Sequence, residues 1–453
     1  MTTARPQLSG RFAARPRPQL GLRPTTRFAL AASLTAAWVA FSVWVSGPWR
    51  HELEHAIGPV MAWAIPAFMG YIPGLVIGLM AFTLLFTRYR EPSHAGAWPG
   101  VTVIVAAWNE EDTIALTLEH LAQLEYPGDL EVVLADNNST DSTAERAEAT
   151  AQRTGLRYRR VFEAAPGKHY ALNAVLPTVT TPLVVTVDAD TFLQRDALRY
   201  LIARLLDEPQ EQHASACAGA LVAQNPLANG TTRMQQWDYR LGINGVKRMQ
   251  AAYNSALVAQ GAFSAYCTDD LRAVGGWPDA IGEDIVLTWA MMSERGIVQY
   301  EPVAVGFTTV PDKLGRLLAQ RSRWARGMFE GLRMHPPPKQ PRVLAKLIGG
   351  VDYLVPFLDI GLVFFWVPGV ILLAFGYPLI VGWWSILLLP ITLVIFGSLR
   401  RWQERHVFRR LGIEVGHDVR GFLGYLIPYQ VLCSSASLRG YTQYVLGATR
   451  RWK

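Results

Sequence analysis

Cysteine is scarce in this sequence. The 453 residues contain only 3 cysteines, Cys217, Cys267 and Cys433, and they are widely spaced. This usage indicates a reducing compartment, because proteins of oxidising compartments use cysteine for disulfide frameworks. The spacing also predicts that the cysteines form no metal cluster.

Motifs of several nucleotide- and nucleic-acid-binding classes are missing as well. Neither a G-x-G-x-x-G nor a Walker sequence occurs, which disfavours NAD binding and P-loop chemistry. The polar middle of the chain has no nucleic-acid-binding motif and no basic stripe with interleaved aromatic residues. The net charge of +7 is therefore interpreted as membrane orientation and contact with anionic lipid, with no nucleic acid as a partner.

Long hydrophobic runs are abundant by contrast. Half of the residues are hydrophobic, 15 are Trp, and four runs are long enough to span a bilayer: residues 28–45, 57–87, 353–375 and 379–399. A fifth run, residues 421–444, is broken by Pro428 and could be a span, a re-entrant piece or an interfacial helix. The sequence therefore predicts a membrane protein.

The basic residues predict the orientation of these runs. Arginines but no acidic residues precede the first run, and Arg88 and Arg90 follow the second. By the positive-inside rule the N-terminus is cytoplasmic and the chain returns to the cytoplasm at Arg88. Basic residues in 400–410 and 450–453 favour the same side and disfavour a crossing by the fifth run. A cleaved signal peptide is the alternative for the first run, but the long Arg/Pro-rich leader disfavours it.

Between Pro99 and Pro311 the hydropathy falls, and strand and helix signals alternate. Strands are predicted at residues 101–107, 130–135, 156–162 and 183–187, with helices between them, and the first and last of these strands are expected to be buried. Repeated strand, polar tip and helix are typical of a doubly wound nucleotide-binding half, so the predicted fold class is α/β.

The polar tips of these strands carry charged side chains. Asp188 and Asp190 follow a Val-rich strand, where they could hold a hard divalent cation or simply open a turn. Asp136 could hydrogen-bond to a base or ribose, or it could cap a helix. Lys168 could bind a diphosphate, or it could be solvated. Together they favour a nucleotide-diphosphate site.

Two further segments carry candidate groups. Asp284 begins a predicted helix and is either an N-cap or a general base for an acceptor hydroxyl. Residues 314–332 form a basic amphipathic helix, which is typical of a membrane surface. On it, Gln320, Arg323 and Trp324 could face the site, with Arg323 gripping phosphate and Trp324 stacking on a sugar.

These residues resemble, in order and spacing, the processive family 2 glycosyltransferases of the cellulose, chitin, hyaluronan and poly-N-acetylglucosamine synthase type. The resemblance covers residues 101–331, and its markers are residues 106–111, Asp136, Lys168, residues 188–190, residues 282–284 and residues 320–324. It implies a GT-A glycosyltransferase domain flanked by transmembrane helices, and inverting transfer from a UDP-sugar with Mg²⁺ or Mn²⁺.

The resemblance also implies a role for each marker. It assigns Asp136 to the uracil, Lys168, Asp188, Gln320 and Arg323 to the nucleotide diphosphate, Asp190 to the metal, Asp284 to the general base, and Glu283 and Trp324 to the acceptor. One departure concerns Asn137 and Asn138, where relatives often carry a second acid and a glycine. The fine details of nucleotide contact are therefore open.

The predicted organisation is a basic cytoplasmic leader (1–27), two transmembrane helices (28–90), a cytoplasmic GT-A domain (91–311), amphipathic interface helices (312–345) and a C-terminal membrane region of two to three segments (346–453). The predicted function is processive synthesis and export of a β-linked polysaccharide, poly-N-acetylglucosamine from UDP-N-acetylglucosamine, at the inner membrane. The lipid bilayer and a small accessory membrane subunit are the further partners that the resemblance implies.

Several alternatives stay open. Within the class, they are a chitin-oligosaccharide, hyaluronan or cellulose-like synthase, or a non-processive transferase acting on a lipid acceptor. From another class, a transport or scaffold protein with an inactive sugar-binding domain is disfavoured because Asp190, Asp284 and Trp324 are all present.

Overall fold

The computed structural model describes residues 21–207, 213–414, 416 and 418–448, with the backbone alone for residues 383–389. Most of the predicted leader and the last basic residues lie outside this range. The strands are β1 Val101–Ala107, β2 Leu130–Asp136, β3 Tyr158–Phe162, β4 Leu183–Asp188, β5 Thr191–Leu193, β6 Ala214–Ala223, β7 Phe263–Cys267 and β8 Ile297–Thr308.

The helices surround this sheet and extend from it at both ends of the chain. They are α1 Pro24–Val45, α2 Gly47–Ile57, α3 Pro59–Pro66, α4 Ile72–Leu85, α5 Ile114–Ala122, α6 Thr143–Thr154, α7 Lys168–Val175, α8 Ala197–Leu206, α9 Gly230–Trp237, α10 Asn244–Ala251, α11 Thr268–Ala273, α12 Glu283–Ser293, α13 Leu314–Met334, α14 Val343–Val351, α15 Val355–Ile360, α16 Val367–Ala374, α17 Trp383–Gln403, α18 Val419–Gly424 and α19 Gln430–Val445. Short π-helical turns join several of them, for example at Asp238–Ile243.

One mixed sheet of eight strands, in the order β3-β2-β1-β4-β7-β6-β8-β5, forms the centre of the described residues. The first four run parallel, and β7 joins β4 in the antiparallel direction. Each of β1 and β4 is buried over nearly its whole length, as the Val-rich sequences predict for strands covered on both faces. The four predicted strands are thus confirmed, although the third begins at Tyr158 rather than at residue 156.

The register of the parallel strands brings their carboxyl ends to one edge. Ala107 of β1 pairs with Asp136 of β2, and Ala106 pairs with Asp188 of β4. Ligands of open α/β sheets bind at this edge, outside the carboxyl ends of the strands. The fold therefore creates a site where the sequence places its polar tips.

Among the residues that the structure describes, three helical segments are long and apolar enough to cross a membrane: Pro24–Val45, Pro59–Leu85 and Val343–Ala374. The first packs along α4 of the second. The fourth predicted run corresponds to α17, and the fifth to α18 and α19. Helix α19 packs along α13, so the C-terminal region lies directly against the long helix that follows the sheet.

A buried ion pair fixes the long strand β8. Glu301 is fully buried, lies 2.8 Å from Arg204 of α8 and accepts hydrogen bonds from the Tyr89 hydroxyl and the Val303 amide. At this point β8 bulges against β6. The pair therefore joins β8 to α8 and to the segment that follows the apolar helix α4.

Glu301→Ala is expected to lower the free energy of unfolding by about 3 kcal/mol or more, because it leaves the Arg204 charge buried without its partner. Thermal or denaturant unfolding of the purified protein measures this. Glu294→Ala, at an exposed position just after α12, is the control and is expected to change stability by less than about 0.5 kcal/mol. Equal stability of the two variants would contradict the structural role of the pair.

Candidate functional site

A cavity of about 1230 Å³ opens at the carboxyl edge of the sheet. Its walls come from the ends of β1 and β4, from the starts of α7 and α12, and from α10, α13 and α19. It contains eight of the nine predicted site residues: Lys168, Asp188, Asp190, Glu283, Asp284, Gln320, Arg323 and Trp324. Segments separated by more than a hundred residues in sequence thus meet around one space.

The turn between β4 and β5 holds the two aspartates in place. Asp188 ends β4, and β5 starts at Thr191 and pairs with β8. Within the turn, the Ala189 carbonyl accepts a hydrogen bond of 2.6 Å from the Thr117 hydroxyl of α5. Because both ends belong to the sheet, the positions of the Asp188 and Asp190 carboxylates are fixed by rigid elements rather than by a loose loop.

Negative charge is in excess around Asp190. Burial, together with the neighbouring carboxylates of Asp188 and Glu110, raises the pKa of Asp190 to about 7. Within the described residues, Lys168 hydrogen-bonds to Asp188, while Glu110 and Asp190 make no ion pair. Oxygen ligands with uncompensated charge suit a hard divalent cation, so the residues present fit Mg²⁺ or Mn²⁺.

Lys168 is a cation that contacts the aspartate at the end of β4. It begins α7 and hydrogen-bonds to Asp188. Burial opposes its charge, but Asp188 and Glu283 outweigh that effect and raise the pKa of Lys168. Gly261 makes room for it, because a Cβ there would lie 2.8 Å from the Lys168 ammonium nitrogen. Lys168 is therefore held as an ammonium beside the acidic cluster, which consists of Glu110, Asp188 and Asp190.

Asp136 is the one predicted site residue that does not line the cavity. It is fully buried, its carboxylate pairs with Arg160 of β3, and it accepts a hydrogen bond of 3.0 Å from the Ser139 amide. The cavity wall at this point is Asn137. Contact between Asp136 and a nucleotide base stays a prediction. The base would have to reach the Asp136 carboxylate past its ion pair with Arg160.

Asp284 lies in the first turn of α12 and faces the cavity. Its carboxylate accepts hydrogen bonds from the Ile285 amide at 2.8 Å and the Gly261 amide at 3.4 Å. The adjacent Glu283 is buried, and burial together with Asp284 raises the pKa of Glu283 to about 8. Burial therefore favours the neutral form of Glu283. The Asp284 side chain lines the cavity, where a carboxylate could accept a proton.

Helix α13 presents Gln320, Arg323 and Trp324 to the same cavity. Arg323 and Trp324 are exposed, whereas the side-chain oxygen of Gln320 is buried without a hydrogen-bond partner among the described residues. The helix crosses α12 closely, with Gly327 against Gly282. Asp284 and the three α13 side chains thus lie on neighbouring parts of one wall of the cavity.

Sequence reasoning missed a polar cluster that supports Trp324. The Arg321 guanidinium lies 4.1 Å from the centre of the Trp324 ring, 2.8 Å from the Asp238 carboxylate and 2.7 Å from the Tyr429 hydroxyl. Tyr429 in turn donates a hydrogen bond of 2.9 Å to Asp238. In the sequence, only the position of Arg321 between Gln320 and Arg323 could have indicated this cluster.

The cavity continues from Trp324 along α19. Four side chains spaced three or four residues apart line it from one face of that helix: Gln430, Cys433, Ser437 and Tyr441. Three of them are polar, which is unusual for a face beside apolar helices. The cavity therefore connects the strand ends to the C-terminal helices.

The cysteine prediction needs one amendment. Ligand atoms of Cys267, His213 and Asp270 lie within 4.8 Å of one another and could hold a metal ion. None of these three residues lines the cavity.

The mixed sheet and the ligand edge define a GT-A glycosyltransferase fold. A similar structure is that of a mannosyltransferase from Pyrobaculum calidifontis, described in complex with GDP-Man and Mn²⁺. It has a TM-score of 0.57 and 21% sequence identity, and the match covers 85% of this chain and 99% of that one. At this identity the likeness establishes the fold.

Residues 99–327, more than half of the chain, match the family described as "Glycosyltransferase like family 2", and the chain belongs to that family. It is a glycosyltransferase.

The poly-beta-1,6-N-acetyl-D-glucosamine synthase of Staphylococcus aureus (strain MSSA476) is 28% identical over 274 residues, which are 59% of this chain and 64% of that protein. The protein of that name from Staphylococcus epidermidis is 30% identical over 237 residues, 51% and 55% of the two chains. The matches thus span less than two thirds of these relatives.

Proposed function

We propose that this protein transfers N-acetylglucosamine from UDP-N-acetylglucosamine to a growing β-linked polysaccharide, with inversion and processively. The observation that carries the proposal is the single continuous space joining the acidic cluster, the Asp284 carboxylate and the polar face of α19. A site for one small acceptor would not need that extension. The sugar and the polymer are taken from the relatives named poly-beta-1,6-N-acetyl-D-glucosamine synthase.

In the proposed mechanism Asp284 accepts the proton of the acceptor hydroxyl as the new glycosidic bond forms. Lys168 and Arg323 bind the departing diphosphate, and Gln320 orients it. Attack from the face opposite the leaving group gives a β-linked product from an α-linked donor. Trp324 provides an aromatic face on which the acceptor sugar stacks.

Asp190 and Asp188 are the residues that would hold Mg²⁺ or Mn²⁺. The bound cation supplies charge neutralisation at the diphosphate. The excess of carboxylates around Asp190 supports this assignment.

Addition of Mn²⁺ is expected to raise the melting temperature of the protein, because a ligand at about 100 times its Kd stabilises the folded state by about 2.7 kcal/mol. Asp190→Asn is expected to remove most of this shift, since it deletes a ligand oxygen's charge. Asp129→Asn, at an exposed position outside the cavity, should keep it. A full Mn²⁺ shift in the Asp190 variant would contradict the metal assignment.

We further propose that the apolar helices lie in the inner membrane as a multi-pass region and that the catalytic domain faces the cytoplasm. Three helices are long and apolar enough for this, and Arg88 and Arg90 follow the second. The polymer would then leave along α19. A small accessory membrane subunit stays an expectation of the family resemblance.

The test is nucleotide release by the purified, detergent-solubilised protein with Mg²⁺ or Mn²⁺. The donors are UDP-N-acetylglucosamine, UDP-glucose, UDP-glucuronate and GDP-mannose, the last because of the similar mannosyltransferase. Turnover of UDP-N-acetylglucosamine with a long polymer as product is the expected result. A single short lipid-linked product would favour the non-processive alternative, and turnover of GDP-mannose alone would overturn the proposed donor.

A further inference from the structure

A lysine side chain lines the same cavity at a point that the proposed mechanism does not use. Lys247 belongs to α10, and only 7% of the residue is exposed. Within the part of the chain that the structure describes, its ammonium group makes no hydrogen bond or ion pair. Burial of an unpaired ammonium destabilises a fold. Such a group facing a cavity is typical of a binding site rather than of a structural core.

Lys247 lies near the base and apart from the diphosphate half. Lys168 is influenced by Asp188, Glu283 and Asp284, whereas Asp284 is the carboxylate that influences Lys247. Burial lowers the pKa of Lys247 to about 7, and Asp284 partly opposes this. Lys168 begins α7 and hydrogen-bonds to Asp188, whereas Lys247 belongs to α10, so the two lysines enter the cavity from different walls.

The charges on the acceptor side balance one another. Asp284 opposes whatever positive charge Lys247 carries, and the Arg321 guanidinium pairs with the Asp238 carboxylate at 2.8 Å. A uronate or a phosphate would find no surplus positive charge here. A neutral sugar fits better, because its hydroxyl and carbonyl oxygens can accept hydrogen bonds from the Lys247 nitrogen, whose N–H groups make no hydrogen bond within the described residues.

We propose that Lys247 is an acceptor-binding residue that donates hydrogen bonds to oxygens of a neutral sugar beside Asp284. The inference rests on the proposed function, since it takes the acceptor to be a sugar chain. Lys247 and the Trp324 ring then hold the acceptor from two sides, one through directional hydrogen bonds and the other through stacking. This orients the reacting hydroxyl toward the Asp284 carboxylate.

The test compares Lys247→Met and Lys247→Arg with the wild type in binding a soluble β-linked N-acetylglucosamine oligosaccharide and, separately, UDP. Lys247→Met is expected to weaken oligosaccharide binding by about tenfold or more, because it removes hydrogen bonds from a charged donor. UDP binding is expected to stay unchanged, and Lys247→Arg should recover part of the loss. The melting temperature of Lys247→Met is expected to rise, because a buried unpaired charge is removed.

Lys339→Met is the matched control, since it removes an exposed lysine outside the cavity and should bind both ligands as the wild type does. The inference is wrong if Lys247→Met binds the oligosaccharide like the wild type, or if it loses UDP binding and thermal stability together. It is also wrong if the wild type does not bind the oligosaccharide. These binding measurements need no donor sugar. A wrong donor assignment would instead appear as absent turnover of UDP-N-acetylglucosamine by the wild type, so the two failures are distinguishable.

Discussion

Asp284→Asn is expected to reduce sugar transfer by about 100- to 10,000-fold, which is the usual contribution of a general base. The asparagine side chain cannot accept the hydroxyl proton. Its oxygen can still accept the hydrogen bond that the Ile285 backbone N–H donates to Asp284 at 2.8 Å. The local structure should therefore survive. The measurement is the initial rate of UDP release with acceptor present, together with the Kd for UDP, which should not change.

Glu283→Gln is the matched control for this experiment. Burial and Asp284 raise the pKa of Glu283, so glutamine imitates the neutral form that its surroundings favour. We expect less than about a tenfold loss of transfer from it, because the proton-accepting step is left intact. If the glutamine variant were inactive and Asp284→Asn active, the base would be Glu283 and the mechanism would need reassignment.

Local sequence signals were sufficient for the catalytic half of the sheet. The run 183–187 is rich in β-branched residues and ends in Asp188, so its strand and the placement of its carboxylate follow from short-range preferences. The start of α7 at Lys168 was equally readable, because Gly167 immediately precedes it. These elements need no knowledge of distant residues.

Features that depend on pairing between distant elements could not be read in this way. The partner of Asp136 is Arg160, which faces it only because β2 and β3 pair with Leu134 opposite Arg160. A sequence-based view therefore left Asp136 open to a nucleotide. The register of two strands decides its surroundings.

The same reason explains why Lys247 was overlooked. In sequence it stands next to Arg248 in a polar stretch, which is the usual pattern of a solvated helix face. In the structure Arg248 stacks on Trp402, with its guanidinium 3.4 Å from the ring centre, and Lys247 faces the cavity. Burial of a charged residue by tertiary packing leaves no local signature.

Close contact between Gly327 and Gly282 predicts a large loss of sugar transfer when either glycine is enlarged. A Cβ on Gly327 of α13 would lie 2.7 Å from the Gly282 Cα and 3.0 Å from its nitrogen. Both atoms are backbone, so neither can rotate away as a side chain would. A larger residue at position 327 must therefore move α13, with Arg323 and Trp324, away from Asp284.

Gly327→Ala is accordingly expected to lower sugar transfer by about 100-fold, because a displacement of about 1 Å between reacting groups has an effect of that size. Gly315→Ala lies on the same helix, where a Cβ would meet no atom within 4 Å. That variant should keep full activity and gain about 0.5–1 kcal/mol of stability, since alanine is the better helix former. Rates of UDP release and unfolding curves for both variants measure these effects. Equal activity of the two would mean that α12 and α13 tolerate separation, and that the shared wall does not set the position of the base relative to the diphosphate.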